Sequence, residues 1–290
     1  MAGQTAQVIQ KVLHATIEKK KRKELKIYNL CNTSFSGDVK NGGETVKIIE
    51  ESEVKLQPGL SLDGGPINYS TLQPSAQELR ITQVPYINIT LNDIDKQKIQ
   101  TGLAKEIVDS AIDRGMYLLK DDVDAKLAST YVSAGIFPAV TGTSVVAITP
   151  SNALTYLKYM ATAFYRARLG AYENDWCAVL PPEYIENLEL DSANVYTIKG
   201  YDNRVTGWVG KAGRFQIIQS EQIAADSNGQ FHPLFLVRGQ SIAVAMQKDP
   251  EFKDSTRPNY FEESYSYRIA YGYKGYRPDK LGTFPCTIAA

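Results

Sequence analysis

LNDIDKQKIQTGLAKEIVDSAIDRGMYLLKDDVDAKLASTYV, residues Leu91–Val132, is the stretch whose reading decides the fold. Ile99, Leu103 and Ile107 fall four apart, and Val108, Ile112, Met116, Leu119, Val123, Leu127 and Tyr131 continue in steps of three and four. That is the period of about 3.6 residues that marks an amphipathic helix. Asn92 is placed to cap it, with Asp93 and Asp95 near the positive end of the helix dipole. The pattern should fail near Gly135 and Pro138. A helix over Ile94–Ser133, at about 1.5 Å per residue, makes a rod of roughly 60 Å. A compact chain of 290 residues has little use for such a rod on its own account. Gly102 and Gly115 each weaken the helix by about 1 kcal/mol relative to Ala, and so mark a bend or a close approach.

Two extended segments precede the rod, TVKIIEESEVKLQP (Thr45–Pro58) and ELRITQVPYINITLND (Glu78–Asp93). The second sets Tyr86, Asn88 and Thr90 against Ile87, Ile89 and Leu91, a period near two. Between them PGLSLDGGPINYSTLQPS is rich in turn residues and has no core pattern. The expectation is a long hairpin whose tip, around Pro58, Gly59, Leu60 and Leu62, leans on a neighbouring molecule.

After the rod, Ser151 is a candidate cap for a second helix. Its apolar positions are Leu154, Leu157, Met160, Ala161 and Phe164, and it ends at Gly170. Trp176–Leu180 reads as a buried strand, and Pro181-Pro182-Glu183 opens a helix. Strands are expected over Gly213–Ile218, Pro233–Val237 and Ser241–Met246. The strongest strand signal is SYSYRIAYGYKGY, Ser264–Tyr276. Tyr265, Tyr267, Ile269, Tyr271 and Tyr273 alternate with Ser266, Arg268, Ala270 and Gly272. A small face lets a strand lie close to another element, and the long helix is the expected one.

The composition, 43% hydrophobic and 22% charged, is that of an ordinary globular chain. No apolar run approaches the roughly 18 residues of a membrane span, and no apolar region of a signal peptide is seen at the N-terminus. Cys31, Cys177 and Cys286 are odd in number and far apart, which fits a reducing compartment. The net charge is zero, but residues 1–26 hold seven basic and two acidic side chains, a balance of +5 that leaves −5 on the rest. Lys19, Lys20, Lys21, Arg22 and Lys23 form its centre. A basic arm on a slightly acidic body suits an acidic partner, either nucleic acid or a neighbouring copy.

Candidate chemistry is sparse. Asp121, Asp122 and Asp124 have the charge for a divalent cation, but the plainer expectation is a solvated helix face. His14 and His232, the two histidines, lack Cys or carboxylate neighbours at ligand spacing. Gly207–Gly213 lacks the Gly-Lys-Ser/Thr ending of a phosphate loop and is expected to be a tight turn. Cys177 reads as a buried, inert thiol. The aromatics of Tyr260–Tyr276 read as packing rather than as a base-stacking platform. Nothing here designates an enzyme, a metal or a cofactor.

The order of these elements resembles the major capsid proteins of tailed bacteriophages, the Hong Kong 97 fold. Four anchors carry the resemblance: LNDIDKQ with AIDRGMYLLKDDVDAKLASTY, NDWCAVLPPEYIENL, RGQSIAVAMQKDPEFKD, and SYRIAYGYKGYRPDKLGTF. Together they span most of Glu78–Thr283. The resemblance implies an α+β phage major capsid fold. Its parts would be an N-terminal arm (1–44), an extended hairpin loop (45–84), a peripheral domain with a long spine helix (85–139), an axial domain (140–239) and C-terminal strands returning to the peripheral domain (240–290). Ile112, Met116, Leu119, Val123 and Leu127 would pack the spine helix. The arm and the hairpin tip would be subunit or scaffold contacts.

The implied function is a structural shell subunit that self-assembles as pentamers and hexamers around double-stranded DNA. Its partners would be a portal protein, a separate scaffolding protein, and the genome through weak non-specific contact. Its place would be the virion, and the host cytoplasm during assembly. Such subunits bury several thousand Å² in contacts that close by symmetry. Only the arm precedes the hairpin, so no cleaved scaffold domain is expected. No Lys–Asn pair is designated for a cross-link. Removal of residues 1–26 is expected to impair assembly. The alternative is an encapsulin-like compartment enclosing cargo enzymes. An unrelated enzyme or nucleic-acid-binding protein would need convergent titratable residues or a basic patch on the body, and the sequence shows neither.

Overall fold

The computed structural model describes residues 25–36, 45–50, 75–92, 105–190, 208–256 and 262–288. The hairpin tip, the arm before Leu25, His14 and the start of the rod lie outside them.

The long helix α1 is described over Lys105–Ala128 and tightens into a 3-10 turn over Ser129–Ser133. It stops where the pattern predicts. The Gly135 N–H donates to the carbonyls of Pro278 and Leu281. A Cβ at Gly135 would lie 2.7 Å from the Pro278 oxygen, so only glycine fits there. Met116, Leu119, Val123 and Leu127 are buried. The backbone of Ile112 belongs to the helix, but its side chain is outside the described set. Gly115 abuts the Ile87 side chain, so the close approach is to a side chain rather than to a backbone.

Strands β1 (Thr45–Glu50) and β2 (Ser75–Arg80) pair antiparallel as the root of the hairpin. The segment expected as one strand, Glu78–Asp93, divides. β2 ends at Arg80, and β3 (Tyr86–Asn92) belongs to another sheet, of order β3-β10-β9. Pro85 lies at the break; its carbonyl accepts the Ile269 N–H, but it has no N–H to continue a ladder. β9 (Ile242–Thr256) is much longer than its sequence signal, because it pairs with β10 (Glu262–Gly275) as far as Glu263↔Thr256. Pro250 is tolerated because β9 is an edge strand.

The tyrosine face of β10, not its small face, meets α1: Tyr267, Ile269 and Tyr271 share a core with Met116, Leu119, Val123 and Leu127. The rings supply the apolar area that the helix covers. The small face receives the hairpin root instead. A Cβ on Gly272 would come within 2.2 Å of the Arg80 oxygen. Val46, Ile48 and Leu79 pack there against Ala243, Ala245 and Tyr276.

A five-stranded sheet has the order β11-β8-β5-β7-β6. Its strands are β5 (Trp176–Leu180), β6 (Trp208–Ala212), β7 (Phe215–Gln219), β8 (Leu234–Val237) and β11 (Leu281–Thr283). Two helices, α2 (Ala153–Arg166) and α3 (Pro182–Leu190), share a core with one face of it. The cap before α2 is Asn152 rather than Ser151. Its Oδ1 accepts the Thr149 N–H and its Nδ2 donates to the Ala147 carbonyl, which ties the loop rather than the helix. β12 (Cys286–Ile288) pairs in parallel with β4 (Val146–Ile148). The 240–290 span therefore does not return as one unit. β9 and β10 join the three-stranded sheet, while β11 and β12 cross to the five-stranded side, where Phe284 and Cys286 find their apolar partners.

The two sheets share a core. Cys177, Val179, Ile218, Leu234 and Leu236 face the same cluster as α1 and β10.

Candidate assembly surfaces and the anchor of the arm

The described residues begin at Leu25. Ile27, Leu30 and Cys31 are buried in the shared core, and Asn32 bridges in parallel to Ala243 of β9. The anchor is Asp124. Its Oδ2 accepts the Lys26 N–H at 2.8 Å, and its Oδ1 accepts those of Ile27 and Tyr28, each at 3.2 Å. Carboxylate-to-amide bonds of this kind are charge-assisted, and a buried carboxylate without them is costly. Burial pushes the Asp124 carboxyl up from its ordinary value, and the three N–H groups pull it back. The Cys31 thiol is pushed well above its usual range, first by burial and then by the nearby Asp124.

The solvated-face expectation for the three aspartates fails. Asp124 is 7% exposed. Asp122 Oδ2 accepts the Tyr271 hydroxyl at 3.1 Å, and Asp121 Oδ1 accepts the Gln222 side-chain amide. Local composition suggested charge in water, but each carboxylate meets a donor from a segment distant in sequence. The signal available was three acids within one turn of a helix that has core residues on both sides of them.

The remaining candidates are placed as follows. Lys19, Lys20, Lys21, Arg22, Lys23, Pro58, Gly59, Leu60 and Leu62 lie outside the described residues. His232 stacks on Tyr131 with centroids 4.2 Å apart, and its Nε2 lies 3.4 Å from Asp226 Oδ2. Among the described residues no group of three or more His, Cys, Asp or Glu side chains is placed to hold a metal. Gly213 and Arg214 form a two-residue turn between β6 and β7, both at positive φ, the mark of a type I′ connection. Gly213 is also pressed against Leu157, where a Cβ would come within 2.7 Å. The Cys177 thiol is pushed up to about 11 and that of Cys286 to about 12, both mainly by burial. Lys280 is buried, with its ammonium 4.5 Å from the centre of the Tyr172 ring and hydrogen-bonded to Gln240 Oε1; nothing in the sequence pattern signalled it.

The surfaces open to a partner are unequal. On the three-stranded sheet, the face away from α1 carries Tyr86 at 73% exposure, with Asn88, Thr90 and Arg268 exposed on the same side. On α1, Tyr117 and Leu118 are exposed; on the five-stranded side, Val140, Val145 and Leu190 are. Large apolar side chains held out in this way suit protein contacts.

No family model matches the chain, and no curated protein matches it in sequence. Solved structures do match it. The capsid of Ralstonia phage GP4 aligns with a TM-score of 0.65 at 12% identity, over 93% of this chain and 92% of that one. A chain of the Mycobacterium phage Che8 structure aligns with a TM-score of 0.64 at 16% identity, over 89% of this chain and 90% of that one. The fold is that of a phage capsid protein. A virus-like particle from Pyrococcus furiosus shares it with a TM-score of 0.59 at 11% identity, over 94% of this chain and 98% of that one. The shared fold is α+β, with helices and mixed sheets, and it is matched over about nine-tenths of each chain at identities of 11 to 16%.

Proposed function

We propose that the chain is a major capsid protein whose copies self-assemble into the icosahedral shell enclosing a double-stranded DNA phage genome. The observation that carries this reading is the nearly end-to-end alignment, in both directions, with the capsid of Ralstonia phage GP4. The role is structural, and the large side chains held out on the sheet face and the helix face, Tyr86, Tyr117 and Leu118, suit contacts made on assembly. In this reading residues 45–84 are the extended loop laid on a neighbour, 85–139 the peripheral domain with its spine helix, and 140–239 the axial domain. β9 and β10 complete the peripheral sheet, Leu281–Thr283 complete the axial one, and Cys286–Ile288 pair with β4 beside it. Pentamers and hexamers build the shell, with a separate scaffolding protein and a portal protein as partners. The basic arm, centred on Lys19–Lys23, contacts a neighbour, the scaffold or packaged DNA. The virion is the final location, and the host cytoplasm the site of assembly.

Negative-stain electron microscopy tests the proposal, first on the chain expressed alone and then with the neighbouring phage genes. Closed shells, or rings and broken polyhedra, are expected in at least the second sample. A uniform field of small monomers in both would overturn the reading. Removal of residues 1–24, which keeps the Asp124 contacts of residues 26–28, is expected to impair assembly of a folded subunit. A second reading, an encapsulin-like compartment, is favoured by the alignment with the virus-like particle from Pyrococcus furiosus. The nucleic acid content of purified particles separates the two.

A further inference from the structure

Successive residues of an α-helix point about 100° apart, so four in a row face all round the axis. On α1 near Arg114–Leu118 only part of that circle is used: Gly115 and Met116 are buried, while Arg114, Tyr117 and Leu118 are exposed. One turn later the circle closes. Asp121 holds Gln222, Asp122 holds the Tyr271 hydroxyl, Val123 is buried in the shared core, and Asp124 holds the backbone of residues 26–28. Gln222 lies in the segment that leaves β7 of the five-stranded sheet, and Ile223 beside it packs into the shared core. Tyr271 lies in β10.

We infer that the turn Asp121–Asp124 is a coupling device: it ties the root of the basic arm to the five-stranded sheet, so that docking of residues 26–28 and docking of the Gln222 segment support one another. Two physical effects connect them. Asp121 and Asp124 are like charges three residues apart, which destabilise a helix unless donors take up the charge. If the arm root leaves, Asp124 loses all three N–H donors at once, and its uncompensated charge then bears on Asp121 one turn away. Each of the four side chains of this turn also meets a partner, so a rotation that accommodates one partner displaces the others. The arm carrying Lys19–Lys23 begins directly before this anchor. A pull on the arm is therefore delivered to the turn. The inference concerns the single chain and does not depend on the capsid reading. Under that reading, capture of the arm by a partner would reach the axial sheet through this turn.

The experiment is hydrogen exchange followed by mass spectrometry on the full chain, comparing wild type with Gln222→Ala, Asp124→Asn and Asp124→Ala. Coupling is reciprocal. Gln222→Ala touches no arm residue and no core position, so the protein stays folded; it is expected to speed exchange at residues 26–32 by about tenfold. Asp124→Asn retains an acceptor for Ile27 and Tyr28 but sets a donor against the Lys26 N–H. It is expected to speed exchange moderately at 26–32 and at 220–224, and Asp124→Ala more strongly at both. α2, whose buried face packs away from this turn, serves as the control and is expected to be unchanged in Gln222→Ala and Asp124→Asn. Unchanged exchange at 26–32 in Gln222→Ala would overturn the inference. So would an Asp124→Asn effect confined to 26–32, or one that rises equally in α2.

Discussion

The two faces of β10 and the two faces of the five-stranded sheet are used differently. Between the five-stranded sheet and α2, the core is closed. Phe164, Trp176, Phe215, Phe235 and Phe284 are fully buried, with neighbouring centroids 5.1 to 5.6 Å apart. The three-stranded sheet has α1 on one face and the hairpin root over part of the other, while Tyr86 on that other face remains 73% exposed. The first arrangement supports itself, since its rings find their partners within the chain. The second leaves apolar and polar side chains on a regular, twisted surface, which is economical only where another molecule covers it. The contrast fits a subunit whose fold is settled by one half and whose contacts are supplied by the other.

The contrast can be broken at its strongest point first. Phe235→Ala removes a ring from the centre of the closed core and is expected to cost about 3–5 kcal/mol of stability, read from the urea midpoint of the unassembled chain. A loss near zero would mean that the core is not closed. Gly272→Ala is expected to cost about 1–3 kcal/mol, because its methyl meets the Arg80 backbone and the hairpin root must shift. Limited proteolysis should then cut next to Arg80 sooner than in wild type. A variant as resistant as wild type would place the root's support elsewhere.

A smaller effect comes from Asp226. Its carboxyl is held below the ordinary value, first by the Gln230 N–H and then by the Asn228 N–H and His232. A depressed carboxylate contributes stability above its unfolded value of 3.8, and that contribution is lost as pH falls through the lower folded value. The melting temperature of wild type should therefore fall more steeply than that of Asp226→Asn as pH drops below about 4. Parallel curves would remove the residue from the acid response. The smallest stability effect is expected at the exposed ring of Tyr86. Tyr86→Ser should change stability by no more than about 0.5 kcal/mol while lowering the yield of assembled particles. Equal yield would show that this face is not a contact.

Most of the element order was legible in one dimension. Periods of two and of about 3.6 residues follow from which side chains share a face of a strand or a helix, so β10, α1 and α2 announced themselves in the residues that form them. What water-facing or apolar patterning does not encode is the partner of a face. The tyrosine face of β10 was visible as a face, but its covering by α1, and the closeness of Gly272 to Arg80, depend on chain segments far apart in sequence. The same holds at the candidate surfaces. Met116, Leu119, Val123 and Leu127 could be picked out as one stripe, whereas the aspartates between them looked solvated, because a carboxylate carries no local sign of the donors that will reach it.

The sequence by itself determined most of the helices and strands, their order and the run of basic side chains near its start, since these depend on neighbours a few residues away. The tertiary structure alone decided that Glu78–Asp93 is shared between two sheets, that the last strands cross to the five-stranded side, and that Asp124 holds residues 26–28. Those outcomes rest on hydrogen bonds and burial between segments that lie well beyond the reach of local sequence pattern, from Glu50↔Ser75 to Arg268↔Tyr86, and such pairings are selected only when the whole chain has closed.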